Sequence, residues 1–348
     1  MKSEQWEIFK KAVRQQKLDE IPMALIVDSP WIPGYLGINH MDYYLDPELW
    51  FKANLKIYEE FPDIIFFPSW WMEYGMAAEP SALGTKIKFW PNNTPSEYHT
   101  LFHIEDLDLF PDYEVENDAF MAMTLHRMKM QKQRIIDTGH IIPVVTSRGP
   151  LCTAGFVRST TDFMMDIVEN PVYAHKLINM CTNLVIDWLK AQTKILGDMV
   201  EGIFILDDIV GFINEEHYKE FAHPYLKKIC DAFPKDWIKV YHNDADVNAC
   251  LEYLPECGFN VLNWGKQTDI SEVKERIGDK MCLMCNVNPL EIGVRGTPQE
   301  VYNATIDVLT KSGGKSIILS VGGGTSPGMP RENILAMKKA LDDYNHKH

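Results

Sequence analysis

The chain has 348 residues, 46% hydrophobic and 24% charged, which suits a globular protein with a large core. Single barrels reach this length as readily as two-domain proteins do. With 49 acidic against 34 basic residues the formal net charge is −15, which argues against nucleic acid or an anionic membrane as partner, since both need a basic surface.

The first segment, MKSEQWEIFKKAVRQQK, sets apolar residues among charges at helical spacing. It lacks the continuous apolar stretch of a secretory signal. No apolar run in the chain reaches the roughly eighteen residues that span a bilayer, so a cytoplasmic enzyme is expected. Downstream, short β-rich apolar runs alternate with longer helical patterns, the signature of a parallel sheet. The runs are 21–28, 63–71, 142–150, 202–209, 238–244, 261–265, 281–287 and 316–322. Eight strands with intervening helices predict an α/β fold, a (β/α)8 TIM barrel formed by a single domain over 1–348. A doubly wound open sheet fits the same pattern.

Between the second and third runs, 72–141 is long enough for a barrel helix plus an insertion rich in Pro, aromatic and acidic residues. Insertions after a strand sit on the C-terminal rim of a barrel, and 72–114 is expected to form rim and lid. Helices are expected at 171–195 and at 298–311, the latter opened by Thr297 as N-cap and Pro298 at the first helical position. The seven scattered cysteines point to reduced thiols rather than a disulfide framework. Cys282 and Cys285 form a CxxC, but strand alternation sends them to opposite faces.

In a barrel the strand ends share one mouth. Here they carry Asp28, Trp70, Trp71, Arg148, Asp207, Asp208, His242, Asp244, Asn263, Trp264, Lys266, Cys285 and Asn286. Acids, a histidine, amides and tryptophans converging on one place outline a small-molecule pocket. The densest group is Tyr241-His242-Asn243-Asp244. His242 and Asp244 are two apart on a strand and share a face, which suits two metal ligands or an acid–base pair. Asp244 equally suits the N-cap of a helix over 246–256. Of Asp207 and Asp208, one should face the mouth while the other caps or pairs locally. Gly322-Gly323-Gly324 follows the last strand, where a glycine turn either binds phosphate or lets a bulky ligand approach the backbone.

These segments bring a family into view. Residues 284–298 (MCNVNPLEIGVRGTP) and 317–338 (IILSVGGGTSPGMPRENILAMK) resemble the tail motifs of the uroporphyrinogen decarboxylase superfamily. So does 207–228 (DDIVGFINEEHYKEFAHPYLKK), and 78–84 (AEPSALG) is similar to an element of its methyl-transferring branch. The decarboxylases carry an R-Q-A-G-R-Y element after the first strand, whose arginines bind the substrate's carboxylates. The corresponding stretch 28–39 holds no Arg or Lys, so a polycarboxylate would lie uncompensated in a desolvated site. The zinc methyltransferases that serve a thiol carry H-x-C and a further Cys in the last turn. His242 matches that histidine, whereas Asp244 and Gly323 stand where the two cysteines should be.

What remains resembles the first methyltransferase of anaerobic O-demethylase systems. That resemblance implies transfer of a methyl group from a methyl ether, a methoxylated aromatic in most such systems, to cob(I)alamin on a separate corrinoid protein. An alkoxide or phenoxide leaves poorly unless its oxygen is protonated or bound to an electrophile. His242, Asp244, Asp207 and Glu79 are the expected catalytic residues. His242 and Asp244 could also ligate zinc. Trp31, Trp70, Trp71, Arg148, Tyr241, Trp264, Cys285 and Asn286 are expected around the substrate, and Gly322, Gly323 and Gly324 toward the corrinoid. A homodimer is expected by analogy. The competing expectations are a decarboxylase or other lyase of another carboxylic acid, with Arg148 and Lys266 as its basic groups, and a non-catalytic relative that binds a corrinoid or an aromatic ligand.

Overall fold

A computed structural model describes residues 1–27, 30–110 and 112–347. The strand-end acid Asp28 lies outside the described residues. Ten strands follow in chain order: β1 (Ala24–Ile26), β2 (Ile65–Phe67), β3 (Lys86–Trp90), β4 (Asn93–Tyr98), β5 (Val144–Arg148), β6 (Gly202–Leu206), β7 (Ile238–Asn243), β8 (Val261–Trp264), β9 (Cys282–Val287) and β10 (Ile317–Val321). All eight apolar runs are strands, and β3 and β4 form an additional antiparallel hairpin inside 72–114.

Strands β5 to β10 make a six-stranded parallel sheet in sequence order, and β1 pairs in parallel with β2. A bridge between Met23 and Leu319 joins β1 to β10. At the other seam, the Ser69 hydroxyl after β2 donates to the Ile141 carbonyl before β5. The Ile141 N–H donates to the Met1 carbonyl, so the first residue is seated in that seam. The architecture is the (β/α)8 barrel that the strand count predicts.

Alternation along each strand splits the apolar residues into two clusters. Inside the barrel lie Ile26, Phe67, Val144, Phe204, Leu206, Val240, Val261, Cys282, Met284 and Ile318. The opposite faces, with Tyr241, Leu262, Leu283 and Cys285 among them, pack against the helices. All seven cysteines are free and buried, and Cys282 and Cys285 fall in different clusters.

Helix Ser3–Val13 closes the N-terminal end of the barrel with Trp6, Phe9 and Val13. It is tied there by Trp6 Nε1 and Lys10 Nζ, which both donate to Glu201, the residue before β6. Fully burying such a large apolar side chain stabilises by about 1.5–3 kcal/mol. The plugged bottom leaves the C-terminal end as the mouth. Helix Pro171–Leu196 forms as expected, and helix Pro298–Ser312 starts from a Thr297–Glu300 capping box. The helix expected over 246–256 is not formed as such. Only Leu251–Tyr253 (3-10) and Leu254–Cys257 (α) are helical, and the early turn is held by Asp246, whose carboxylate accepts from the Asn248 N–H. No helix among the described residues is long and apolar enough to cross a membrane.

Candidate functional site

The inner face of β7 delivers the centre of the site. His242 is four per cent exposed, and its ring meets that of Phe204 edge-on inside the barrel. Two residues on, Asp244 places Oδ1 3.6 Å from His242 Nε2. The third member comes from the end of β6, where Asp208 Oδ1 lies 3.9 Å from the same nitrogen. Asp208 Oδ1 also accepts from the Asp244 N–H at 2.7 Å, which ties the two strand ends together. One ligand atom from each of Asp208, His242 and Asp244 falls within 4.8 Å of the other two.

Asp244 therefore does not cap a helix; its carboxylate faces His242. Burial alone would lower the His242 pKa, but the charges of Asp244 and Asp208 and the bond to Asn263 outweigh it and push it up to about 9. Asp244 shows the converse. Burial would raise its carboxyl, and the charges of His242 and Arg148 hold it below the ordinary range instead.

A second group lines the mouth beside β5. Arg148 is inward and buried, with Nη2 3.5 Å from Glu73 Oε2 and its guanidinium 5.4 Å from the Trp71 ring centroid. Glu79 Oε1 accepts from the Ser147 hydroxyl at 2.9 Å and the Arg148 N–H at 2.8 Å. Burial raises the Glu79 carboxyl despite Arg148 and those donors. Glu97, from β4, is raised by burial as well, and it senses the charges of both Arg148 and Glu79. Trp71, Glu73, Glu79, Thr146 and Arg148 line a narrow cleft.

Several expected site residues lie elsewhere, and the reason is the period of two. Tyr241 and Trp264 neighbour inward positions and so point to the helix layer. The Tyr241 hydroxyl donates to the Asp207 carbonyl, and Trp264 Nε1 donates to the Thr268 carbonyl. Cys285 also faces outward, whereas Asn286 on the same strand lies on the inner side, with Nδ2 donating to the Gly265 carbonyl. Trp31 stacks on Tyr35 and donates to the Met329 carbonyl from within the outer core. Ser69 and Trp70 take φ of +89° and +47°. This turn sends Trp70 among Trp50, Phe51 and Tyr58 of the outer core and leaves Trp71 against Phe204 inside.

Asp207 does not face the mouth either. It is fully buried, and its carboxylate accepts from the Leu151 and Cys152 N–H groups at the start of helix Pro150–Arg158. Its neighbour Asp208 is the acid at the mouth. Burial pushes Asp207 up to about 7, against those N–H donors. Glu79, on the short helix Ala78–Ala82, is likewise a buried group bonded to the end of β5 rather than an open acid. Of the glycine turn, Gly323 has φ +103° and lies directly against Asp244, whose Oδ1 would be 2.0 Å from a Cβ there. Gly322 backs onto the Trp264 carbonyl and Asn286. Lys266 is exposed, so Arg148 is the buried base of the mouth.

Glu73, Glu97 and the role of Asn263 were not assigned from sequence. The first two reach the mouth from the insertion, whose acidic, aromatic composition was the available signal. Asn263 is one strand-end residue among many in the sequence, and only its cross-strand pairing with His242 marks it.

The family model described as uroporphyrinogen decarboxylase (URO-D) matches residues 5–344. A uroporphyrinogen decarboxylase of Coxiella burnetii is 23% identical over 360 residues, covering 97% of this chain and 95% of that protein. A methylcobamide:CoM methyltransferase of Methanosarcina mazei is 24% identical over 344 residues, with 97% of each chain covered. Among solved structures, a methyltransferase from Methanosarcina mazei superposes with TM-score 0.81 at 20% identity, covering 97% of this chain and 98% of that one. A B12-independent methionine synthase from Shewanella follows at TM-score 0.59 and 8% identity, with 94% and 97% covered.

Proposed function

The chain belongs to the uroporphyrinogen decarboxylase family, and from that premise we propose that it is a corrinoid-dependent methyltransferase that takes the methyl group of a methyl ether. The observation that carries this reading is the donor set at the mouth: one imidazole and two carboxylates, Asp208, His242 and Asp244. The chain has no thiolate among these donors, so activation of a soft thiol acceptor is poorly served. Arg148 is already engaged by Glu73, so it offers no free clamp for a polycarboxylate, which disfavours the decarboxylase reading.

An ether oxygen needs electrophilic assistance to leave. The methyl carbon passes to the cobalt(I) of a partner corrinoid protein, whose electron pair forms the new bond. The C–O bond breaks, its pair stays on oxygen, and the product alcohol or phenol gains a proton. His242 Nε2, held protonated by Asp208 and Asp244, is the proton source. The same three residues fit a divalent ion such as zinc, since carboxylates and imidazole are both ordinary zinc donors. When bound, that ion would supply the electrophile in place of the proton. Trp71, half-buried over Phe204, offers a flat wall for an aromatic substrate, and Gly323, without a side chain, leaves the rim above Asp244 open to the corrinoid.

The test mixes the protein with a corrinoid protein reduced to cobalt(I) and a panel of methoxylated aromatics, and follows the cobalt absorption spectrum. Formation of methyl-cobalt(III) with one substrate class, lost in His242→Ala and Asp244→Ala, is expected. No conversion across the panel with several corrinoid proteins, together with loss of carbon dioxide from a small carboxylic acid, would move the assignment to a lyase. Chelation before the assay separates the two electrophiles. Activity that falls and returns with zinc assigns the ion, and activity that persists assigns the Nε2 proton.

A further inference from the structure

Asn263 sits on β8 as the lateral neighbour of His242 on β7, on the same inward face, and is fully buried. Its amide makes three hydrogen bonds. Nδ2 donates to the Met284 carbonyl at 2.9 Å and to the Val321 carbonyl at 3.1 Å. Oδ1 lies 2.8 Å from His242 Nδ1.

The first two bonds decide the third. Both carbonyls are acceptors only, so the amide nitrogen must face them; the reverse orientation would set Oδ1 against two carbonyl oxygens in a buried site. With Nδ2 so committed, the atom presented to His242 is an acceptor. His242 Nδ1 must therefore carry a hydrogen and donate it. The nitrogen left to exchange a proton or to bind an ion is Nε2, the one that faces Asp208 and Asp244.

We infer that Asn263 is a positioning residue that assigns Nε2 as the working nitrogen of His242, anchoring the imidazole to the middle of β9 and the end of β10 through two backbone carbonyls. The inference rests on the proposed role of the Asp208–His242–Asp244 site, but it concerns which ring nitrogen is used and applies to proton donation and to ion binding alike. It also gives that site a rigid support: β8, β9 and β10 together set the ring plane, and partners of this kind hold metal- or proton-bearing imidazoles in one tautomer.

The experiment uses the full chain with isotope-labelled histidine and reads the imidazole nitrogen resonances. The His242 signals are identified by their absence from His242→Gln. In the ion-free protein, above the pH at which the ring becomes neutral, the retained hydrogen is expected on Nδ1; finding it on Nε2 would overturn the inference. Asn263→Asp keeps the acceptor toward Nδ1 and is expected to preserve the Nδ1-protonated form, at lower stability because a carboxylate oxygen then faces the Met284 and Val321 carbonyls. Asn263→Leu removes the acceptor and is expected to give a mixture of tautomers, with zinc affinity by calorimetry weakened about 10- to 100-fold. A purely structural role predicts lower stability in both variants, an unchanged nitrogen spectrum and unchanged zinc affinity. If the wild-type chain takes no zinc and transfers no methyl group, the functional reading fails by itself, while the nitrogen spectrum still decides the role of Asn263.

Discussion

Asp207 and Asp208 are adjacent, chemically identical and placed in opposite circumstances. The first accepts two backbone N–H groups at a helix start and sees no solvent, while the second faces His242 from the rim. Asp207→Ala leaves two buried donors unpaired and should lower stability by about 1–3 kcal/mol. Asp207→Asn keeps one of the two acceptors and turns its NH2 toward the other N–H, so it should recover only part of that loss, and it should leave methyl transfer intact; loss of turnover in a folded Asp207→Asn protein would restore it as a catalytic candidate. The pKa of Asp207 is raised in the folded state to about 7, above the free value of about 3.9. Its ionisation therefore works against folding, so this contribution to stability falls as pH rises from about 4 through 7. Urea unfolding across that range should show the decline in wild type and not in Asp207→Asn.

Among the elements, the turn after β10 is the one whose shape the chemistry depends on. Gly323 combines φ +103° with the Asp244 carboxylate where a side chain would begin. Gly323→Ala should cost about 1–2 kcal/mol from the backbone conformation and, more tellingly, push Asp244 away from His242. Methyl transfer and zinc affinity should fall well beyond what a small drop in thermal midpoint explains; normal activity would show that Asp244 is not needed in its present position. Helix Pro298–Ser312 offers a contrast remote from the chemistry. Thr297 accepts from the Glu300 N–H, and Glu300 reaches back to the Thr297 N–H. Thr297→Ala should cost about 1 kcal/mol by thermal unfolding and leave turnover unchanged. That cap was legible from Thr-Pro in the sequence, because capping is decided within four residues.

For the molecule as a whole, the two ends of the barrel divide stability from function. Trp6 plugs the bottom and bonds Glu201, so Trp6→Ala should cost about 3–5 kcal/mol with kcat retained at temperatures where the variant is folded. The mouth gives the opposite signature. His242 has a folded-state pKa of about 9, above its free value of about 6.5. Its pairing with the acids contributes stability fully below about pH 6.5 and loses it as pH rises through 9. Urea midpoints of the ion-free protein should drop across that interval, and His242→Gln should flatten the drop; an equal slope in both proteins would place the titrating group elsewhere.

The sequence by itself determined the eight strands and the helices between them, whereas closure into a barrel rather than an open sheet came from the tertiary contacts at the two seams. Eight short apolar runs separated by helical patterns, and the start of the Pro298 helix, follow from local chemistry repeated along the chain, and so does the separation of Cys282 from Cys285. It also determined that His242 and Asp244 share a face, since that needs only the strand period. The tertiary structure decided which residue of each adjacent pair enters the mouth: Trp71 over Trp70, His242 over Tyr241, Asn263 over Trp264, Asn286 over Cys285, Asp208 over Asp207. Every pair closes its strand with plausible chemistry, and the choice depends on where the strand ends and how the chain turns. Likewise Glu73 and Glu97 meet Arg148 only because the insertion folds back over β5. Such contacts join residues far apart in the chain, and no local preference encodes them.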